Sequence, residues 1–185
     1  LPADADAANG LIHAGTGATA SGDSSIAYGY SAEAKKEHSI AQGTKAKAEE
    51  EYALAMGYQA NAKGLQSLAI GKGAIAKGNN SIAEGAGAKG YAKDGIAIGN
   101  NAESGTADNK DPRIPSIESN NGVAVGNSAK ARGGSSVSVG NDSFGNGPSS
   151  VAIGNAATAN DVRTTAIGNN AHAEGAGSLS IGREA

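Results

Sequence analysis

The sequence predicts an all-β fold, a parallel β-roll in which the chain coils about one long axis. Three observations predict it. Twelve glycines (Gly15, Gly29, Gly43, Gly57, Gly71, Gly85, Gly99, Gly126, Gly140, Gly154, Gly168 and Gly182) stand in one column with a step of 14 residues, broken once by a step of 27. A fixed period marks a solenoid, in which each unit stacks only on its neighbours. A short run of the form aliphatic, small, usually aliphatic precedes nearly every one of these glycines. Composition agrees: glycine takes 29 of 185 positions and aromatic residues only 3%, which suits a thin, long core and not a thick, round one.

The first strand of each coil reads Ile26-Ala27-Tyr28-Gly29, Ile40-Ala41-Gln42-Gly43, Leu54-Ala55-Met56-Gly57, Leu68-Ala69-Ile70-Gly71, and so on to Val151-Ala152-Ile153-Gly154. β-branched residues alternating with a small one suit a strand with two unlike faces. The expectation is that the aliphatics point into the roll and the alanines point the other way. Glycine ends the strand where the backbone needs a positive φ. Asparagine follows in Gly99-Asn100, Gly126-Asn127, Gly140-Asn141, Gly154-Asn155 and Gly168-Asn169, where it tolerates a left-handed conformation.

The second strand is alanine, variable, alanine, as in Ala32-Glu33-Ala34, Ala46-Lys47-Ala48, Ala129-Lys130-Ala131 and Ala157-Thr158-Ala159. Its middle residue is mostly polar and faces solvent, with the flanking alanines turned inward. The second turn carries Gly22, Gly64, Gly78, Gly133, Gly147 or Gly175, or else Lys36, Glu50 or Asp161. A hydroxyl residue then precedes the next first strand: Ser25, Ser39, Ser67, Ser81, Ser136, Ser150, Thr164, Ser178.

Along the chain, 1–10 reads as an exposed lead-in, 11–101 as coils, 102–121 as an inserted loop, and 122–185 as coils continuing the same domain. About twelve coils stacked ~4.8 Å apart form a rod of roughly 55–60 Å. The insertion adds 13 residues between Gly99 and Gly126 and carries Asp108, Lys110, Asp111 and Arg113 with two prolines. It reads either as a ligand-contacting loop or as a solvated spacer. The chain stops in register at Ile181-Gly182, which points to a longer parent protein.

Each coil offers little apolar surface against its backbone entropy, so a single chain is expected to be marginal. The alanine ladder Ala27, Ala41, Ala55, Ala69, Ala83, Ala97, continued by Ala124 and Ala152, is the candidate interface for another copy. The alternative is that alanine merely fills a crowded sheet. Glu84, Gln42 and Tyr28 occupy the second aliphatic slot, where a polar group facing a dry core is costly unless partnered. That places them near a subunit boundary, or makes them local adaptations to a neighbouring lysine.

Function classes narrow accordingly. Net charge is −3, with both signs interspersed and no basic patch for nucleic acid. Cysteine is absent, and no apolar run is long enough for a membrane helix or signal peptide. His13, His38 and His172 are scattered over separate coils, and the serine column has no His/Asp constellation beside it. Neither an enzyme, nor a cofactor, nor a metal is expected; the acidic pair of the insertion lacks the EF-hand glycine and glutamate spacing.

The unit Ser150-Val151-Ala152-Ile153-Gly154 with Ala157-Thr158-Ala159, varied in the other coils, resembles the head repeat of the YadA-like trimeric autotransporter adhesins. The resemblance implies a left-handed parallel β-roll, trimerising side by side as a homotrimer on the bacterial cell surface. Attachment to the outer membrane would run through a C-terminal anchor that this chain does not contain. It also implies virulence-associated adhesion to host extracellular matrix or cell-surface proteins such as collagen, fibronectin or laminin. In this family collagen binding is associated with Asn-Ser-Val-Ala-Ile-Gly-x-x-Ser. Asn80, Ser81, Ile82, Ala83 and Gly85 match it in part, with Glu84 in place of isoleucine. Ser150, Val151, Ala152, Ile153 and Gly154 match its centre, with Ser149 before them and Ala157 where the last serine belongs. These ten are the candidate ligand residues. The rival readings are a structural spacer in a surface fibre and an ice- or crystal-binding solenoid. The irregular outward series Glu33, Lys47, Asn61, Ile75, Lys89 opposes the second of these.

Overall fold

The computed structural model describes residues 4–6, 10–108, 110–111 and 114–185, with the backbone alone for 4–6, 110–111 and 114–118. Among the described residues the regular structure is strand and turn throughout. Three-residue strands such as Ile26–Tyr28, Ile40–Gln42 and Leu54–Met56 stack into a sheet of 13, and two-residue strands such as Glu33–Ala34 and Lys47–Ala48 into a facing sheet of 11. Pairing is parallel and in register with the period: Ile26 lies beside Ile40, Ala27 beside Ala41, Tyr28 beside Gln42. The expected parallel β-roll is what the chain forms. It makes about eleven complete turns and not twelve, because no short strand follows the last long one, Leu179–Ile181.

The lead-in differs from expectation. Asp4–Asp6 pairs antiparallel with the first long strand, Leu11–Ala14, and so covers the edge of the larger sheet. The insertion is also narrower than 102–121. Glu103–Ser104 pairs with Lys89–Gly90 on one side and Lys130–Ala131 on the other. The Gly105 amide donates to Ala131 O at 2.8 Å, and the Asn121 amide to Lys93 O at 2.9 Å. The roll therefore keeps 102–105 and 119–121, and of the described residues between them 110–111 and 114–118 form a separate strand pair. In it Lys110–Asp111 pairs antiparallel with Ile114–Glu118. The long sheet runs on across the interruption, Ile96 beside Val123 and Ala97 beside Ala124.

The main correction concerns which face points inward. The buried apolar side chains among the described residues are all alanine, and serine, threonine or glycine fills the remaining interior positions, as at Ser25, Thr164 and Gly90. In Ile26–Tyr28 the alanine is buried, the isoleucine half-buried and the tyrosine exposed. The aliphatics lie outside. The reason is thickness: a coil made of two strands of two and three residues, closed by tight turns, brings its sheets so near that only a methyl or hydroxyl fits between them. Ala27, Ala41, Ala55, Ala69, Ala83, Ala97, Ala124 and Ala152 are all 0% exposed within the single chain. They cannot touch a second copy, so alanine is here the filling of a crowded interior.

The turns carry a second regularity. Left-handed residues recur every seven positions, as in Ser24, Ser31, His38, Lys45, Tyr52, Gln59 and Gln66. Each coil is thus two half-coils, and each half closes with a turn, Ala32 N donating to Gly29 O and Ser39 N to Lys36 O, both 3.2 Å. The first and third residues after each left-handed position turn inward: Ser25 and Ala27, then Ala32 and Ala34. The asparagines that follow the corner glycine are not themselves left-handed; the next residue is, as at Asn101 and Asn170. Their amides link along the turn edge instead, Asn101 Nδ2 donating to Asn100 Oδ1 at 2.8 Å and Asn169 Nδ2 to Asn155 Oδ1 at 3.3 Å.

Candidate functional site

With the interior full of small side chains, the outer face of the long sheet carries two columns of larger ones. Residues two apart on a strand point the same way. One column therefore runs Ile26, Ile40, Leu54, Leu68, Ile82, Ile96, Val123, Val137, Val151, and the other Met56, Ile70, Glu84, Ile98, Val125, Val139, Ile153, Ile167. All are half-buried or exposed. Twelve rungs make a ridge about 53 Å long at ~4.8 Å per rung. Near the start of the chain the second column reads Ala14, Tyr28, Gln42 before the aliphatics begin. Gln42 and Glu84 are exposed, so the buried polar groups that inward aliphatics would require do not arise. The ridge is the surface that sequence reasoning missed. Its signal was the tolerance of tyrosine, glutamine and glutamate in that column beside a neighbouring column that, after His13 in the end coil, admits only small residues.

The opposite, short-strand face is polar and largely paired with itself. Glu33 takes Lys47 at 2.8 Å and Lys35 at 3.4 Å. Arg132 Nε donates to Glu103 Oε1 at 2.7 Å, and its guanidinium carbon lies 5.4 Å from the Phe144 ring centre, with Lys130 Nζ at 6.0 Å. The hydrogen bond from Lys47 holds the Glu33 carboxyl below the usual glutamate range, and Glu33 in turn raises Lys47. A lowered folded value means that the pair's stabilisation is present above the unfolded glutamate value and is lost as pH falls through the folded one. On so exposed a pair it amounts to about 0.2–1 kcal/mol. A carboxyl-carbon NMR titration should find Glu33 below the ordinary value in the native chain and shifted up toward it in Lys47→Gln; an unchanged midpoint would refute the pairing.

The motif residues expected to bind ligand do not form a cluster. Ser81, Ala83, Ser150 and Ala152 are buried in the roll. Gly85 and Gly154 are corners with φ of +131° and +135°. Ile82 and Val151 are half-buried on the ridge four rungs apart, and Ile153 is exposed beside Val151. Asn80 is exposed at a left-handed turn and donates to Asp94 Oδ1 at 2.7 Å. In the insertion Asp108 is exposed, and its carboxylate accepts from Thr106 Oγ1 at 2.7 Å. Lys110 and Asp111 lie on the hairpin strand described above, while Arg113 lies outside the described residues. Lys77 Nζ donates to Ala107 O, tying the root of the hairpin to the preceding coils.

His38 stacks on Tyr52 with ring centres 4.9 Å apart, and His13 and His172 belong to other coils. Among the described residues no group of three or more His, Cys, Asp or Glu could hold a metal ion. A further surface feature lies near the start of the chain, where Ala14, Gly15, Thr16, Tyr28, Gly29 and Tyr30 line an open cleft.

Compared with known families, the chain matches the model described as the YadA head domain repeat (2 copies) over residues 14–32, 34–60, 62–88, 118–143, 146–171 and 162–185. The matches cover well over half of the chain and skip the stretch that holds the insertion. No curated protein matches it.

Proposed function

Since the chain belongs to the YadA head-domain repeat family, one of adhesin-type surface proteins, we propose that it is the non-enzymatic head of a bacterial outer-membrane adhesin, a side-by-side homotrimer that binds host matrix or cell-surface proteins. One observation carries the reading: the aliphatic ridge on the outside of the single chain. Soluble monomers rarely leave a contiguous apolar patch of that extent in water. Three copies laid parallel along it would bury Leu68, Ile82, Ile96 and their column neighbours. They would leave the turn edges and the polar short-strand face outward. Collagen, fibronectin and laminin are the proposed ligands, held by many weak contacts that trivalency multiplies. The self-paired charges Glu33–Lys47 and Glu103–Arg132 favour the second reading, a spacer with no ligand of its own.

The test uses the chain free and fused to a trimeric coiled coil. At high concentration the free chain should scatter light as three copies, and a Leu68→Asp/Ile96→Asp variant as one. The fused head should bind immobilised collagen, fibronectin or laminin, and the free variant should bind at least about 100-fold more weakly through lost avidity. A well-folded native monomer overturns the assembly. A trimeric head that binds no host-surface preparation overturns the adhesin and leaves the spacer.

A further inference from the structure

The cleft at the start of the chain has a chemistry that the ridge does not explain. It has a volume of about 360 Å³ and is lined by Ala14, Gly15, Thr16, Tyr28, Gly29 and Tyr30. Gly15 and Gly29 add only backbone to the lining and are packed coil on coil, a Cβ on Gly15 lying 2.6 Å from Gly29 O. Its walls are Tyr28 and Tyr30, 59% and 54% exposed on either side of the corner. No lining side chain is charged, and three of the six lining residues carry hydroxyls. It also lies where the second ridge column is not yet aliphatic, between Ala14 and Gln42.

The turn edge extends this site along the rod. After the first four corner glycines the next residue alternates, Thr16, Tyr30, Thr44, Tyr58, before Lys72 ends the series. Successive coils are locked together there, Ser31 N donating to Thr16 O, Lys45 N to Tyr30 O and Gln59 N to Thr44 O, at 2.8–3.0 Å. Tyr30 and Tyr58 are therefore two rungs apart, about 9.6 Å, close to the length of one disaccharide unit. Tyr58 is likewise exposed. Tyrosine offers a large, rigid, amphipathic surface at low entropic cost, and small-ligand sites combine apolar faces with a few placed polar groups.

We propose that this edge binds a neutral oligosaccharide running along the rod, one pyranose in the Tyr28–Tyr30 cleft and another on Tyr58. The apolar faces of the sugar rings lie on the phenol rings, and their hydroxyls bond to Thr16, Thr44 and the phenol oxygens. The six residues of the cleft carry no charge, so the pyranose seated there is a neutral one, while exposed Lys45 flanks Thr44 on the edge beyond it.

The experiment titrates the coiled-coil-fused trimer with maltohexaose, cellohexaose and a β-galactan hexamer, and in a second arm with a heparin hexasaccharide and a sialylated lactose. Tyrosine emission reports binding directly, because the chain has five tyrosines and no tryptophan. At least one neutral hexamer should bind saturably. Tyr30→Ala should weaken it by about tenfold or more, while Tyr58→Ala should weaken the hexamer but not the matching disaccharide. Tyr52→Ala, on the other turn, should change nothing. Light-scattering mass and circular dichroism of each variant separate loss of the site from loss of the trimer or fold. Binding of none of the neutral sugars, binding confined to the charged arm, or binding undiminished in a folded Tyr30→Ala/Tyr58→Ala trimer each overturns the proposal.

Discussion

Gly140→Ala is expected to cost about 4 kcal/mol or more, or to abolish the roll, an effect at the extreme of single substitutions. The new Cβ would stand 2.2 Å from Gly154 O and 2.7 Å from Gly154 C, both backbone atoms of the next coil. No rotamer relieves that clash; the coils must separate. Separation strains the bonds that define the stack, Gly140 N to Val125 O at 2.9 Å and Gly154 N to Val139 O at 2.8 Å. The backbone adds its own strain, since φ is +137° at this corner and such conformations cost a non-glycine residue about 1–3 kcal/mol. Two other glycines calibrate the terms. Gly73 is left-handed at +65° with nothing near its would-be Cβ, so Gly73→Ala should cost about 1–2 kcal/mol, backbone alone. Gly175 has neither a positive φ nor a neighbour, so Gly175→Ala should be neutral or stabilise by up to about 1 kcal/mol. Urea unfolding followed by circular dichroism ranks the three. A Gly140→Ala chain within 1 kcal/mol of the native one would disprove the close stacking of corners.

The period, the strand positions, the corner glycines and the inward alanines of the second strand could all be read from the sequence. The sidedness of the first strand is masked there by a stronger general preference, for a physical reason. Alternation with period two looks the same whichever face is buried. The usual preference for large apolar residues inside then selects Ile26 over Ala27. That preference assumes an interior thick enough to hold them, and a coil of two such short strands has none. The decisive sign lay in uniformity of size. Ser25 with Ala27, Ser39 with Ala41, Ser67 with Ala69 and Ser81 with Ala83 never exceed a few atoms. The other column runs through Tyr28, Gln42, Met56, Ile70 and Glu84. A column that varies so widely in volume and charge cannot be the close-packed one. The seven-residue half-coil was equally hidden. Its left-handed positions hold Ser31, Lys45, Gln59 and Ala156 alike, so the coil's spacing imposes the conformation and residue preference does not select it. The Thr–Tyr alternation that builds the cleft edge is visible in sequence, but its meaning depends on knowing that the two sides of the corner glycine are both outside.

The same inversion yields the second large effect. Ala83→Leu should destabilise the chain by about 3 kcal/mol or more, at or above the upper end for overpacking, whereas its neighbour Ile82→Ala should cost the isolated chain only about 1 kcal/mol, part of the worth of a half-buried side chain. Ala83 is wholly buried, and the residues stacked on either side of it, Ala69 and Ala97, are too. Space across that coil is already exhausted: on the facing strand, a mere Cβ at Gly90 would come within 3.1 Å of Ile82 O and 3.2 Å of Ser81 Cβ. Leucine's three further carbons could enter only by prising the sheets apart, and with them the coils above and below. Ile82 lies on the ridge, where truncation exposes no cavity and leaves the interior untouched. With aliphatics inward the order would reverse, Ile82→Ala opening a cavity worth about 2–5 kcal/mol and Ala83→Leu lying harmlessly on the surface. Unfolding curves at micromolar concentration and again at high concentration distinguish the two arrangements. Ala83→Leu should be the weaker variant at both, while under the proposed assembly the deficit of Ile82→Ala should grow with concentration, since that side chain would then also stabilise the contact between copies.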